Sequence, residues 1–547
     1  MGLGTLVALL VATGLVLVCV SVVLRRGRAG DRFSGHLWLR RRPAAVIHRI
    51  LFDDTDAGGA ALPARLRGGL REAHESWTRF NPSFDVRYWS HRDVREFLAS
   101  PTFPPEYLET LDDLAPYAYK CDFARTVILL HLGGFYADWK QQCLVPGLLE
   151  SLWSEGPREI FVSDLHANAV TNCFFGCPPG SALLQALASE IVQSVRSRET
   201  RENMLALTGP DALGRVYSKY GFGATGPRGG FSSDLATLLS AWAPRSIELA
   251  GRSVDHPEMG HVLAIGGTLV VRHRCAGHEA YAWTLPGGND YREMYPERIY
   301  TSPAPQGVPR LPTLLHKSSR HPTPDRLPPC CWADIALANP DFDLMYHTDE
   351  DCRRLIEENF GVSVLAAYDA LAPPTFKSDL WRYCLMYVHG GIYMDFPHAP
   401  TRPLAHIFDL GLGIVQLTLD RPISARCGTI LHPTAMAAAP GNPVFREAIR
   451  LVVENVRRKH YGEGPHSVTG GEVFKQALLN TFVPFRLVMH EVGGSFDLAD
   501  GERGVLTRPL EGEHAKGGVG SWSQLTHAPQ QTPYWELWEQ RRVYSGS

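Results

Sequence analysis

The sequence predicts an α/β fold that is built twice along one chain. Three observations support this: a globular composition, an internal repeat and strands that alternate with helices. The 547 residues are 44% apolar and 20% charged, which is typical of a globular protein and not of a disordered chain or a coiled coil. Lys and Arg number 54 against 57 Asp and Glu. So neutral a chain lacks the basic surface that nucleic-acid binding requires.

An apolar segment without charges lies at residues 3–24. Its 22 residues would form a helix of about 33 Å, enough to cross a hydrocarbon core of about 30 Å. A cleaved signal peptide is the alternative, but its apolar region is usually shorter and follows a charged region. We therefore expect a single-pass anchor. The arginines that follow it would, by the positive-inside rule, place the body in the cytosol.

A segment of 19 residues occurs twice, with an offset of 257 positions and no gap. The first copy, KCDFARTVILLHLGGFYAD, begins at Lys120, and the second, KSDLWRYCLMYVHGGIYMD, begins at Lys377. Seven positions are identical, among them an Asp, an Arg, two Gly, a Tyr and a final Asp. Core packing would explain matched apolar residues, but it does not explain matched polar ones.

The long period indicates two copies of a whole domain, since solenoid repeats are far shorter. We place the first copy at residues 43–300 and the second at 310–547. A Pro-rich linker at residues 301–309 joins them, and residues 1–42 form the anchor and a basic stem.

Each copy is predicted to alternate strands and helices. Strands are predicted at residues 44–52, 84–88, 135–138 and 313–316, and helices at 70–80 and 122–132. Gly133 and Gly134 end the second helix. Such alternation predicts a largely parallel sheet with helices on both faces. Ligands bind such sheets at the carboxyl ends of the strands, which is where Asp138 and Asp395 fall.

The repeated polar residues bring two carboxylates and one guanidinium to an edge of each predicted sheet. They are Asp122, Arg125 and Asp138 in the first copy and Asp379, Arg382 and Asp395 in the second. A helix ion pair and a turn aspartate would account for one copy, but two copies with the same spacing favour a functional site. Carboxylates can accept hydrogen bonds from sugar hydroxyls or hold a divalent cation, and arginine can neutralise a diphosphate. A nucleotide-sugar donor needs these groups, because its leaving group is a diphosphate.

The repeated segment resembles the glycosyltransferases whose sugar-binding region contains a DXD motif. Their pattern is Ser-Asp-x-x-Arg-Tyr, a hydrophobic helix, and Gly-Gly-x-Tyr-x-Asp-x-Asp. The second copy follows it closely, with SDLWRY from Ser378 and GGIYMD from Gly390, and the first has Cys121 and Thr126 in place of the Ser and the Tyr. The resemblance implies a tandem GT-A-like fold, a UDP- or GDP-hexose donor, retention of anomeric configuration, and a glycan or glycolipid acceptor. It also implies manganese or magnesium, and a Golgi-lumenal body behind one transmembrane helix.

The resemblance further implies donor-binding roles. Asp122 and Asp379 would bind sugar hydroxyls, and the arginines would bind the donor or orient the terminal aspartates. The complete donor-binding set is Asp379, Arg382, Tyr393, Asp395, Asp122, Arg125, Tyr136, Asp138 and Lys140. No catalytic base can be named from the sequence.

The sequence departs from the family at the second acid of the DXD motif. Lys140 stands there in the first copy and Pro397 in the second, and neither side chain can ligate a hard cation. Lys140 would supply the positive charge in a metal-independent site. In the second copy, Asp395, His398 and His514 are the candidate metal ligands.

Three functions therefore stay open. The first is a membrane-anchored retaining glycosyltransferase that moves a hexose to a glycan or glycolipid. The second is an inactive relative that binds glycans or acts as a scaffold, which the missing acid in both copies favours. The third is a protein in which one copy is active and the other binds the acceptor. If only one copy is active, the second is the better candidate, since its motif is closer to the pattern.

Overall fold

The part of the chain from Ala45 to Ser547 forms one compact unit in the computed structural model. The structure describes residues 45–52, 58–154, 156–166, 168–219, 247, 249–275, 291–302, 311–319, 323–324, 332–396, 398–419, 431–492, 495–498, 506–507 and 532–545. The predicted anchor at residues 3–24, Pro397 and His514 lie outside these residues. Among the helices in the described ranges, none is long and apolar enough to cross a bilayer.

The first half, residues 45–302, alternates strands and helices as predicted. Its strands are β1 (Val46–Ile50), β2 (Asp85–Trp89), β3 (Gly134–Ala137), β4 (Gln142–Cys143), β5 (Phe161–Ser163), β6 (Phe174–Cys177), β7 (Leu249–His256), β8 (Gly260–Ile265) and β9 (Thr268–Arg272). Its helices are α1 (Leu62–Arg65), α2 (Gly68–Phe80), α3 (His91–Leu98), α4 (Pro105–Asp113), α5 (Tyr117–Leu132), α6 (Leu148–Leu152), α7 (Ala182–Arg196), α8 (Pro210–Lys219) and α9 (Tyr291–Met294).

The second half, residues 311–545, has the same order of elements around its repeated segment. Its strands are β10 (Leu314–Ser318), β11 (Asp343–His347), β12 (Gly391–Met394), β13 (Ala399–Pro400), β14 (Val415–Leu419), β15 (Leu431–Ala438), β16 (Phe485–Val492), β17 (Ser495–Leu498) and β18 (Leu506–Thr507). Its helices are α10 (Ala333–Ala338), α11 (Asp349–Asn359), α12 (Val362–Ala370), α13 (Pro374–Val388), α14 (Leu404–Ile407), α15 (Pro443–Arg457), α16 (Gly471–Thr481) and α17 (Tyr534–Glu539).

The predicted elements of the repeat are present, with small changes at their ends. The helix predicted from residue 122 is α5, which begins earlier because Pro116 at its N-cap sets the start. Helices α3 and α11 both begin with a capping box, formed by Ser90 with Asp93 and by Thr348 with Asp351. The two halves thus share local start signals as well as the repeated motif.

The sheets are mixed, whereas the alternation of elements predicted largely parallel ones. In the first half, β1 pairs in parallel with β2 and β3, and β3 pairs antiparallel with β6. In the second half, β10 pairs in parallel with β11 and β12, and β12 pairs antiparallel with β15. Strands β6 and β15 run antiparallel beside the central strands β3 and β12, so each sheet is mixed at the strand that ends the repeated segment.

The two halves pack directly against each other. Leu412 and Ile414 of the second half belong to the hydrophobic core of the first. The Tyr107 hydroxyl donates to the Phe482 carbonyl at 2.6 Å, and Gln185 Nε2 donates to the Val483 carbonyl at 3.3 Å. These contacts hold the chain segment that follows α16 against α4 and α7.

Candidate functional site

In the second half, two aspartates share one buried guanidinium. Asp379 and Arg382 lie one turn apart on α13, and Asp395 follows β12 directly. Arg382 Nη1 lies 3.0 Å from Asp395 Oδ1, and Nη2 lies 3.4 Å from Asp379 Oδ1. The Arg382 side chain is only 6% exposed, whereas that of Asp395 is 27% exposed. The arrangement leaves one carboxylate partly open to solvent at the carboxyl end of a buried strand.

The first half repeats this arrangement with small differences. Arg125 Nη2 lies 3.2 Å from Asp122 Oδ1, and Nη1 lies 3.4 Å from Asp138 Oδ1. Both carboxylates are 14% exposed, so Asp138 is less open than Asp395 in the second half. The structure therefore brings together the Asp, Arg and Asp that the sequence singled out, in both halves.

A buried tyrosine fixes the terminal aspartate in each half. The hydroxyl groups of Tyr136 and Tyr393 donate to Oδ1 of Asp138 and Asp395, both at 2.6 Å. The arginine of each half also lies over the ring of its tyrosine, at 4.4 Å from the centroid for Arg125. Both tyrosines are 1% exposed, so their hydroxyls act on the carboxylates and do not reach solvent.

Burial and the neighbouring charges move the pKa values of the carboxylates in opposite directions. Burial raises the pKa of Asp122 to about 6, although Arg125 and a hydrogen bond from Thr208 oppose this. Burial also raises the pKa of Asp379. At Asp138 burial acts in the same sense, but Arg125, Lys140 and the tyrosine outweigh it and hold its pKa below the usual value. Of the two carboxyls in the first-half site, the terminal aspartate therefore stays ionised to the lower pH.

Sequence reasoning overlooked a threonine that binds the helical aspartate in each half. Thr208 Oγ1 donates to Asp122 Oδ2 at 3.0 Å, and Thr469 Oγ1 donates to Asp379 Oδ2 at 2.8 Å. The Thr-Gly pair recurs in both copies, so the repeat contained this signal. In the first half, Asn172 Nδ2 adds a third contact to Asp122 at 2.9 Å.

The two glycines before the strand do more than end the helix. In the second half their φ angles are +63° at Gly390 and +85° at Gly391, values that favour glycine. A Cβ on Gly391 would lie 2.7 Å from the Leu314 carbonyl oxygen, and one on Gly134 would lie 2.7 Å from that of Val46. At these glycines β12 and β3 lie too close to the backbone of the neighbouring segment for any side chain. This close approach fixes the position of the strand and therefore of the terminal aspartate that follows it.

The metal ligands predicted in the second half form no cluster among the described residues. His398 is 2% exposed, and its backbone N–H donates to the Asp395 carbonyl at 3.1 Å. In the part of the chain that the structure describes, no three His, Cys, Asp or Glu side chains come together as a metal site. A hard cation takes six or more oxygen ligands, and Arg382 already neutralises Asp395. Among the described residues, Asp395 and His398 therefore do not form a metal cluster by themselves, and the site that also includes His514 stays a prediction.

Comparisons with known proteins agree with this geometry. Residues 69–147 and 329–411 both match the family described as the glycosyltransferase sugar-binding region containing the DXD motif. Each half of this chain therefore contains a region that matches the model of this family. The two matched regions include Asp138 and Asp395, and they confirm the resemblance on which the sequence interpretation relied.

Curated relatives of this sugar-binding region are named as glycosyltransferases. An uncharacterised glycosyltransferase of Acanthamoeba polyphaga mimivirus is 37% identical over 98 residues, 18% of this chain and 36% of that protein. The initiation-specific alpha-1,6-mannosyltransferase of Schizosaccharomyces pombe is 27% identical over 197 residues, 31% of this chain and 48% of that protein. The chain thus spans less than half the length of these relatives. Among solved structures, the PaToxG glycosyltransferase aligns with 31% of this chain and 69% of its own, at 17% identity and a TM-score of 0.23.

Proposed function

We propose that this protein is a retaining glycosyltransferase of GT-A-like fold that moves a hexose from a UDP- or GDP-hexose to a glycan or glycolipid acceptor. The observation that carries the proposal is the pair of carboxylates held by one buried arginine at the end of a buried strand. Carboxylates in this position accept hydrogen bonds from the hydroxyl groups of a sugar. The surrounding family match supports the sugar as the ligand.

The second half is the better candidate for the donor site. Asp395 is 27% exposed against 14% for Asp138, so a ligand reaches it more easily. Asp379 accepts a hydrogen bond from Thr469, whereas Asp122 accepts hydrogen bonds from both Thr208 and Asn172. Asp379 therefore accepts one side-chain hydrogen bond fewer than Asp122 from a neutral group, which leaves it more capacity for a sugar hydroxyl.

Charge compensation for the leaving diphosphate differs between the halves in this proposal. In the first half, Lys140 lies close enough to Asp138 to lower the pKa of that carboxyl, and it supplies a positive charge without a metal. In the second half the described residues form no metal cluster, and His514, the third predicted ligand, lies outside them. An anchor at residues 3–24 and a lumenal Golgi body complete the proposal.

A binding or scaffold protein without activity is the second candidate. It is favoured by the replacement of the second acid in both halves, by Lys140 and Pro397. In this alternative the buried Arg–Asp networks only stabilise the fold, and the open face of Asp395 binds a glycan.

Donor binding by the full chain tests the proposal. UDP- and GDP-hexoses are titrated by calorimetry with and without manganese, for the wild type and for an Asp379→Asn/Asp395→Asn variant. The matched control is Asp122→Asn/Asp138→Asn, which makes the same change in the first half. We expect the second-half variant to weaken binding at least tenfold and the first-half variant to change it less.

The outcomes separate the candidate functions. Binding that requires Asp379 and Asp395, followed by transfer to an acceptor, supports the enzyme. Loss of binding only in the first-half variant would move the donor site to the copy with Lys140. Failure of every nucleotide sugar to bind would refute the transferase and leave the glycan-binding protein.

A further inference from the structure

A buried cation lies beneath the loop that follows β3 in the first half. Arg49, on β1, is fully buried. Its Nη2 donates to the carbonyl oxygens of Asp138 at 2.8 Å, Trp139 at 2.6 Å and Gln141 at 3.1 Å. Among the described residues, Arg49 forms no ion pair with an acid. Its charge is therefore directed at backbone carbonyls of the loop that carries Asp138 and Lys140.

The second half has a different cation in the same place. Lys317, on β10, is fully buried, and its Nζ donates to the carbonyl oxygens of Phe396 at 3.3 Å and His398 at 2.6 Å. Phe396 and His398 lie one and three positions after Asp395. The offset between Lys317 and Arg49 is 268, whereas the motif repeats at 257, so the sequence repeat does not align them.

A histidine precedes Arg49 and Lys317 in the sequence, and it contacts the other end of the strand that leads to the terminal aspartate. His48 Nε2 lies 3.0 Å from the Gly133 carbonyl oxygen, and His316 Nε2 lies 3.1 Å from that of Gly390. Gly133 and Gly390 come directly before β3 and β12. In each half, a His-Arg or His-Lys dipeptide on the neighbouring strand therefore brackets the strand that delivers the terminal aspartate.

We propose that Arg49 and Lys317 are positioning residues that fix the loop carrying the terminal aspartate of each sugar-binding region. The role of Lys317 in donor binding rests on the proposed function of the second half. The proposal for the loop itself rests only on the hydrogen bonds.

The chemistry of the two side chains explains why either an arginine or a lysine can hold the loop. Inward-facing loop carbonyls lose their water and need donors, and a neutral hydroxyl, which has a single O–H, cannot satisfy two or three of them. A guanidinium and an ammonium each carry several N–H donors and a charge that strengthens each bond. A loop held in this way keeps Asp395 in one position before the ligand arrives, and a displacement of about 1 Å at such a site can cost about 100-fold in rate.

The test replaces the cation and measures the loop and the ligand separately. Lys317→Met removes the donors, and Lys317→Arg installs the residue that the first half uses. Lys459→Met is the matched control, since Lys459 is exposed and lies on the helix-end turn after α15. For each full-length variant, the crystal structure reports the position of residues 395–398, and calorimetry reports the affinity for UDP- and GDP-hexoses. Thermal unfolding is recorded in parallel.

We expect Lys317→Met to displace the Asp395 carboxylate and to weaken donor binding at least tenfold. Lys317→Arg should restore affinity to within about threefold, and Lys459→Met should match the wild type. A purely structural role would lower the melting temperature of Lys317→Met without changing the donor affinity of the folded protein, and that result would overturn the proposal. An unmoved 395–398 loop in that variant would overturn it too.

Two further outcomes are also decisive. If Lys317→Met does not fold, Lys317→Gln, which keeps an amide donor but no charge, is judged by the same two criteria. If the wild type binds no nucleotide sugar, the proposed function fails, and the position of the loop in the variant still decides the positioning role.

Discussion

Replacement of Arg382 by methionine is the most informative perturbation of the site. Met has a similar length and no charge, so Arg382→Met leaves Asp379 and Asp395 without their shared partner. It also removes the donor to the Pro433 carbonyl, which Arg382 Nη1 contacts at 2.8 Å. The side chain is only 6% exposed, so water cannot replace these contacts easily.

The magnitude follows from the burial of the ion pairs. Breaking a buried ion pair by removing one partner costs about 3–5 kcal/mol. We therefore expect Arg382→Met to lower the free energy of unfolding by about 4 kcal/mol at pH 7. Arg125→Met should cost less, because Thr208 and Asn172 still bind Asp122, and Lys140 lies near Asp138.

The loss of unfolding free energy in Arg382→Met should depend on pH in a defined direction. Burial raises the pKa of Asp379, and Arg382 opposes that shift. Without the arginine the pKa of Asp379 in the native variant rises further above that of the unfolded chain, so this carboxyl takes up its proton at a higher pH. The variant therefore loses less stability, relative to the wild type, as the pH falls from 7 to 5.

Urea denaturation followed by tryptophan fluorescence at pH 7 and pH 5 measures both effects. Addition of Asp379→Asn and Asp395→Asn to Arg382→Met is the control, since it removes the uncompensated charges and should recover at least half of the loss. A loss below about 1 kcal/mol at pH 7, or an equal loss at both pH values, would refute the reasoning.

Two further predictions concern packing and protonation. The ring of His131 contacts Phe482 of the second half, and burial lowers the pKa of His131 to about 3. The stability that the neutral ring contributes is therefore lost as the pH falls below 6.5, where the histidine of the unfolded chain takes up a proton. His131→Leu should therefore gain about 2 kcal/mol relative to the wild type between pH 7.5 and pH 5, measured by urea denaturation, and an unchanged pH profile would contradict this. Gly391→Ala should cost at least about 3 kcal/mol, because its Cβ would meet the Leu314 carbonyl. The control Gly441→Ala has a similar positive φ but open space around it, and should cost only about 1 kcal/mol when both variants are measured by urea denaturation.

Much of the site could be predicted from the sequence because the segment occurs twice, so that its two copies can be compared within one chain. Matched polar residues such as Asp379 and Arg382 stood out once the apolar positions had been assigned to packing. The alternation of elements around them was also predictable, since hydrophobic periodicity and Gly-Gly stops are local signals. The antiparallel partner of the central strand was not predictable, because the direction of β6 and β15 depends on pairing between distant segments.

The sequence by itself predicted two copies of one α/β unit and determined which polar residues the repeated segments share. Only the tertiary structure decided how those residues meet. The threonine beside each helical aspartate lies 86 positions away in the first half and 90 in the second. Arg49 reaches the Asp138 loop across 89 positions, and Lys317 reaches the corresponding loop across 79 and 81. Contacts at such separations depend on strand order and packing, and neither is encoded in local spacing.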